Sequence, residues 1–125
     1  MSVSIGNIKV NKGWGYELII ADEKDYCGKI LHFNKNERTS MHYHSLKHET
    51  FYVLSGEFDI EIINTRDATH QIFHMECGMK MIMPQNTPHR IISITKGEII
   101  EFSTHDDPLD SYRIDKGSSQ EKRIS

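Results

Sequence analysis

The chain has 125 residues, enough for one hydrophobic core and too few for two. Its net charge of −3 and its lack of a basic, aromatic-interleaved stripe exclude a nucleic-acid binder, and apolar runs of only a few residues exclude a helical membrane span. The opening residues show no basic region followed by an apolar stretch, so no signal peptide and a cytoplasmic setting are expected, with Cys27 and Cys77 as free thiols.

Short apolar runs bounded by turn residues predict strands, in chain order, over 15–21, 27–33, 39–44, 49–55, 57–63, 70–75, 79–83, 89–94 and 98–104. Gly56 marks a hairpin, and Asn64-Thr65-Arg66-Asp67 and Lys96-Gly97 mark turns. Phe58, Ile60 and Ile62 alternate with Glu57, Asp59 and Glu61, which assigns the three apolar side chains to the core. No ten-residue window carries a helical period. The expected fold is all-β: a single antiparallel β-barrel domain over 1–115, followed by a polar, mobile tail over 116–125.

His42-Tyr43-His44, Glu49 and His89 are the chemistry-bearing residues. A strand period of two puts His42 and His44 on one face, a short turn returns Glu49 to face them, and His89 arrives from a third strand. Three imidazoles and one carboxylate suit one divalent transition metal ion, zinc, manganese, iron or nickel. The other histidines, His32, His48, His70, His74 and His105, read as solvated or hydrogen-bonded residues. His48 alternates with Glu49 and is expected outside.

These segments resemble the two motifs of the cupin superfamily. The first runs from Asn36, in place of the usual glycine, through His42, His44 and Glu49 to Gly56. The second runs from Gly78 through Pro84, Asn86 (again for glycine) and His89 to Ser93, which replaces an asparagine. Asparagine tolerates left-handed turn geometry best after glycine, so both turns are expected to survive. The flanks are similar to the cupin domain of type II phosphomannose isomerases: Lys12-Gly13-Trp14-Gly15-Tyr16-Glu17, Tyr26 to Ile30, Pro84 to Arg90, Gly97 to Phe102 and Asp107 to Arg113. Those enzymes often carry a nucleotidyltransferase domain upstream, which these 125 residues do not include, and the sequence lacks their closing Tyr-Gly-Arg and has His42 where many of them have glutamine.

The resemblance implies a jelly-roll (double-stranded β-helix) fold, a homodimer, and a small-molecule partner that is a sugar or sugar phosphate. It implies aldose–ketose isomerisation, in which a metal stabilises negative charge on the substrate and a base moves a proton between carbons. Glu101, interrupting an apolar strand, is the candidate base; a half-buried strand also allows it to face outward. Lys29 and Arg113 are candidates to hold a charged substrate, or are solvated surface. Two other classes fit the same residues: an iron(II) dioxygenase, and a non-catalytic module that stacks a sugar on Trp14, Tyr16, Phe51 or Tyr52.

Overall fold

The computed structural model describes residues 1–122. Eleven strands and one short helix follow in order. The strands are β1 (Ile8–Lys12), β2 (Gly15–Asp22), β3 (Cys27–Phe33), β4 (Met41–Tyr43), β5 (Glu49–Ser55) and β6 (Phe58–Ile63). β7 (His70–Met75), β8 (Lys80–Met83), β9 (His89–Ser93), β10 (Gly97–Ser103) and β11 (Tyr112–Asp115) precede α1 (Ser118–Glu121). Among the described residues no helix is long and apolar enough to cross a membrane.

The strands form two antiparallel sheets, one of six in the order β1-β2-β3-β10-β5-β8 and one of five in the order β11-β4-β9-β6-β7. A closed barrel was expected; among the described residues no ladder joins the sheets, and they pack as a jelly-roll sandwich. The chain crosses from β5 to β6 and from β7 to β8, so each half-turn changes sheet and leaves β7 and β8 as edges. The β5–β6 crossing turns at Gly56, where φ is +82° and a Cβ would lie 2.6 Å from the Lys96 carbonyl oxygen, so only glycine fits.

The interior is divided along its length. At one end Phe33, Val53, Phe58, Ile60 and Ile99 are fully buried, with Phe33 stacked on Trp14 at 4.3 Å and edge-on to Phe58 at 5.2 Å. Phe58 and Ile60 occupy the core as their alternation predicts, and Ile62 packs partly buried against it. At the other end, inward positions carry Lys29, Glu49, His89 and Glu101, all buried. Alternation alone fixes this split: Glu101 stands opposite both Lys29 and Phe51 in the six-stranded sheet, one register row from the Leu31–Ile99–Val53 row.

Residues 116–122, expected within a mobile tail, lie against the fold. Ser118 and Ser119 are buried. The Arg38 N–H donates to Ser118 Oγ and the Gly13 N–H to Ser119 Oγ, each at 2.9 Å. Gly117 packs so closely on Thr39 and Ser40 that a Cβ would lie 2.3 Å from their backbone. The rest of the expected tail, 123–125, lies outside the described residues.

Candidate metal centre

His42 comes from β4, His44 from the turn just after it, Glu49 from the first position of β5 and His89 from the first position of β9. His42 and His89 are register partners, so their side chains share the inner face of the five-stranded sheet. Ligand atoms of the three histidines lie within 4.8 Å of one another. The turns that deliver them use Asn36 and Asn86 at φ of 60° and 58°, the left-handed geometry expected of these glycine replacements. Asn86 N–H also donates to the His44 carbonyl at 2.7 Å, tying the turn before β9 to the turn after β4.

Each imidazole is oriented by a backbone carbonyl. Nδ1 of His42 lies 2.8 Å from the Ser40 oxygen, Nδ1 of His44 2.6 Å from the Asp110 oxygen, and Nδ1 of His89 2.9 Å from the Thr87 oxygen. A carbonyl only accepts, so each Nδ1 carries the proton and each Nε2 presents a lone pair. Burial, with His89 beside it, lowers the pKa of His42 to about 3; burial lowers that of His89 to about 4 and also depresses that of His44. All three are neutral at pH 7, the form that ligates a metal.

Glu49 faces them. Its Oε1 is 3.7 Å from His44 Nε2 and its Oε2 is 3.4 Å from His89 Nε2. Oε2 is buried with no hydrogen-bond partner among the described residues. A carboxylate oxygen and an imidazole lone pair facing each other in a buried site require a proton or a cation between them. Burial, reinforced by the negative charge of Glu101, raises the Glu49 pKa to about 8.

Beyond the ligand set lies a chain of buried charges. Lys47 Nζ is 3.1 Å from Glu49, 2.8 Å from Glu101 and 2.9 Å from Asp106. Lys29 Nζ is 2.8 Å from Asp106 and 3.6 Å from Glu17. Burial opposes the charge on Lys47, but Glu101, Glu49 and Asp106 outweigh it and raise its pKa; the same two lysines hold Asp106 well below the usual carboxylate range against its burial. With Glu49 ionised, four carboxylates face two ammonium groups, an excess of two negative charges that a divalent cation cancels. The residues present fit a divalent metal held by His42, His44, His89 and Glu49.

The cavity above the site has a volume of about 410 Å3. Glu101 points into it, buried, rather than outward. Its surroundings are not the apolar strand expected from Ile99, Ile100 and Phe102, because Lys47 occupies its carboxylate. Lys29 is buried in the wall, and Arg113 is exposed but lines the cavity. Trp14 and Phe51 also line it, while Tyr16 stacks on His32 at 4.6 Å away from the site. The remaining histidines stay apart: His48 is exposed, His70 pairs with Glu61, and His105 with Asp22. His74 sits among Asp59, Glu57 and Glu76 on the exposed β6–β7 hairpin, where its hydrogen bond to Asp59 raises its pKa. Cys27 and Cys77 are free thiols.

Sequence reading missed Lys47, Asp106 and Asp110. Asp110 is buried, and its carboxylate accepts from Ser45 N–H and Oγ–H, Leu46 N–H and Lys47 N–H at 2.7–3.2 Å. It therefore shapes the turn that carries His44 and Lys47. Nothing in the local pattern of the Asp-Asp-Pro cluster at 106–108 or of Asp110 says which way the acids turn.

A two-sheet jelly-roll with three histidines and a glutamate facing one another inside is the arrangement of a cupin with a candidate metal site. Residues 29–105 match the Cupin domain family, and the chain belongs to the cupin family. No curated protein matches the sequence. Among solved structures, the fold is similar to the capsular polysaccharide assembling protein CapF from Staphylococcus aureus, at 17% identity and a TM-score of 0.77 over 90% of this chain. It is also similar to KdgF from Halomonas sp., at 17% identity, a TM-score of 0.66, and coverage of 75% of this chain and 81% of that one. Oxalate decarboxylase from Bacillus subtilis matches at 14% identity and a TM-score of 0.74 over 86% of this chain. The chain spans about a third of CapF, whose covered share is 33%, and 30% of oxalate decarboxylase.

Proposed function

We propose that this chain is a metal-dependent cupin acting on a sugar or sugar phosphate by aldose–ketose isomerisation. The observation that carries the reading is Glu101, an inward carboxylate on the cavity wall beside the ligand set and joined to Glu49 through Lys47. A divalent cation, when bound by His42, His44, Glu49 and His89, supplies Lewis-acid chemistry to neighbouring carbonyl and hydroxyl oxygens. Glu101 takes the proton from the carbon next to the carbonyl and returns it to the former carbonyl carbon, while the hydroxyl proton passes from one oxygen to the other, so no oxidant or reductant is consumed. Lys47, held charged by three carboxylates, keeps Glu101 and Glu49 in place on the cavity wall. Trp14 and Phe51 offer apolar surface to one face of the ring and keep water out. The carbohydrate reading also draws on the likeness to a capsular polysaccharide assembling protein.

One observation favours a second reading. Glu101 Oε2 already accepts from Lys47 and, at 3.3 Å, from Ser103 Oγ, which suits a wall that binds hydroxyls without moving protons. An anaerobic assay of mannose 6-phosphate and fructose 6-phosphate interconversion by metal-loaded protein separates the readings. Turnover abolished by Glu101→Gln supports the isomerase. Tight binding without turnover under any metal supports the sugar-binding module, and turnover that consumes oxygen with bound iron supports a dioxygenase.

A further inference from the structure

The cationic side chains of the cavity fall into two groups. Lys29 and Lys47 are buried and fully engaged by Glu17, Glu49, Glu101 and Asp106. An anion placed between them must displace a buried carboxylate from its partner and leave that charge uncompensated. With a divalent cation on the histidines, this inner wall is electrically balanced and offers donors and acceptors side by side. Hydroxyl groups, which both donate and accept, match such a wall; a phosphate does not.

Arg113 and Lys12 line the same cavity, and neither has a carboxylate within ion-pair distance among the described residues. Arg113 stands opposite His42 in the β4–β11 register, so it projects from the inner face of its sheet beside the ligand set, yet it is exposed. Lys12 closes β1 on the facing sheet and is half-buried. The remaining charge at this rim is Asp107, whose carboxylate accepts from Leu109 N–H at 3.0 Å. Ser111, Ser119 and Gln120 complete the rim without charge.

We propose that the cavity is partitioned by charge: the balanced inner wall takes the hydroxylated, reacting end of the substrate, and Arg113 with Lys12 forms a phosphate subsite at the mouth. This names the substrate class as a hydroxylated carbonyl compound carrying its phosphate away from the reacting carbons, and it rests on the carbohydrate reading of the cavity. A guanidinium offers a phosphate two parallel N–H donors, and the mouth leaves the anion's outer oxygens in water. Lys29 belongs to the wall and not to the phosphate.

Calorimetric titration of zinc-loaded protein with mannose 6-phosphate, mannose and orthophosphate, at low and high salt, tests the partition. Wild type should prefer mannose 6-phosphate over mannose by at least about tenfold, as charge-assisted hydrogen bonds give, and lose part of that preference in salt. Arg113→Gln should erase most of the preference and Lys12→Gln part of it, with mannose affinity and metal stoichiometry unchanged. The same preference in Arg113→Gln as in wild type, no phosphate preference in wild type, or orthophosphate binding that survives Arg113→Gln but vanishes on chelation would each overturn the subsite. Metal is measured separately: a chain that holds no zinc but binds orthophosphate through Arg113 keeps the subsite and removes the metal-isomerase reading.

Discussion

His44 Nδ1 lies 2.6 Å from the carbonyl oxygen of Asp110, a residue 66 positions further along the chain. The same Asp110 binds the backbone of Ser45, Leu46 and Lys47 through its carboxylate, so one acid from the loop before β11 fixes both the tautomer of a candidate ligand and the turn that carries it. Partners that orient ligands typically contribute about 10–100-fold to metal affinity. Asp110→Ala should therefore weaken zinc binding within that range, measured by competition with a chelator, while far-ultraviolet dichroism stays that of a β protein. Unchanged affinity would show that the carbonyl alone orients His44.

Metal affinity should rise with pH through neutrality. His89 Nε2 has no proton, and Glu49 Oε2 faces it at 3.4 Å with its pKa raised to about 8. Below that pH a proton occupies the position a cation would take, and binding must expel it. Affinity should increase by about tenfold per pH unit up to about pH 8 and then level off, with close to one proton released per metal at pH 7. Calorimetry in buffers of different ionisation enthalpy counts that proton directly.

The same groups set opposite trends in the stability of the metal-free chain. The histidines fold with pKa values depressed to about 3 and 4, so the unfolded chain binds more protons between there and about 6.5; their contribution is present above about 6.5 and is lost as pH falls through that window. Glu49 folds with a raised pKa, so its contribution is present below about 4.3 and is lost as pH rises toward 8. Urea midpoints of the chelated protein should hence fall on acidification below about pH 6, and His89→Ala should flatten that limb.

Glu101→Gln should lower isomerase turnover by about 10²–10⁴ while leaving metal content unchanged, because Glu101 is a proposed base and not a ligand. Turnover and metal are read on the same preparation. Loss of both together would instead assign Glu101 to holding Lys47 and Glu49 in place.

A homodimer is expected in solution. The outer face of the six-stranded sheet carries the register row Phe102–Thr50–Ile82, with Phe102 55% and Ile82 58% exposed. Covering such a face is a common reason for two copies to pair. Light scattering at micromolar protein should give twice 14.5 kDa, and Phe102→Glu should halve it. A monomer mass for wild type would remove the dimer.

The convergence of His42, His44, Glu49 and His89 and most of the strands were legible because both depend on short-range signals. His-x-His with Glu49 five positions beyond His44 carries its own geometry, and the alternation of Phe58, Ile60 and Ile62 names its buried face. β1 and β11 were not legible: they are mostly exposed strands at sheet edges, where no buried face imposes alternation. Asp106 and Asp110 were hidden for a different reason, since their partners lie 59 to 77 residues away and only the folded loop brings them together. Ser118 and Ser119 read as solvent-exposed by composition, yet their hydroxyls satisfy the Arg38 and Gly13 amides, which a composition argument does not see.

Elemental analysis of protein purified without chelators, for wild type and for His44→Ala and His89→Ala, tests the central claim most directly. One divalent ion per wild-type chain, and loss of stoichiometric metal in both variants while the β-sheet dichroism is kept, is the predicted result. Full metal in either variant, or a wild-type chain that takes up no divalent ion on dialysis against zinc, manganese, iron(II) or nickel, would contradict it.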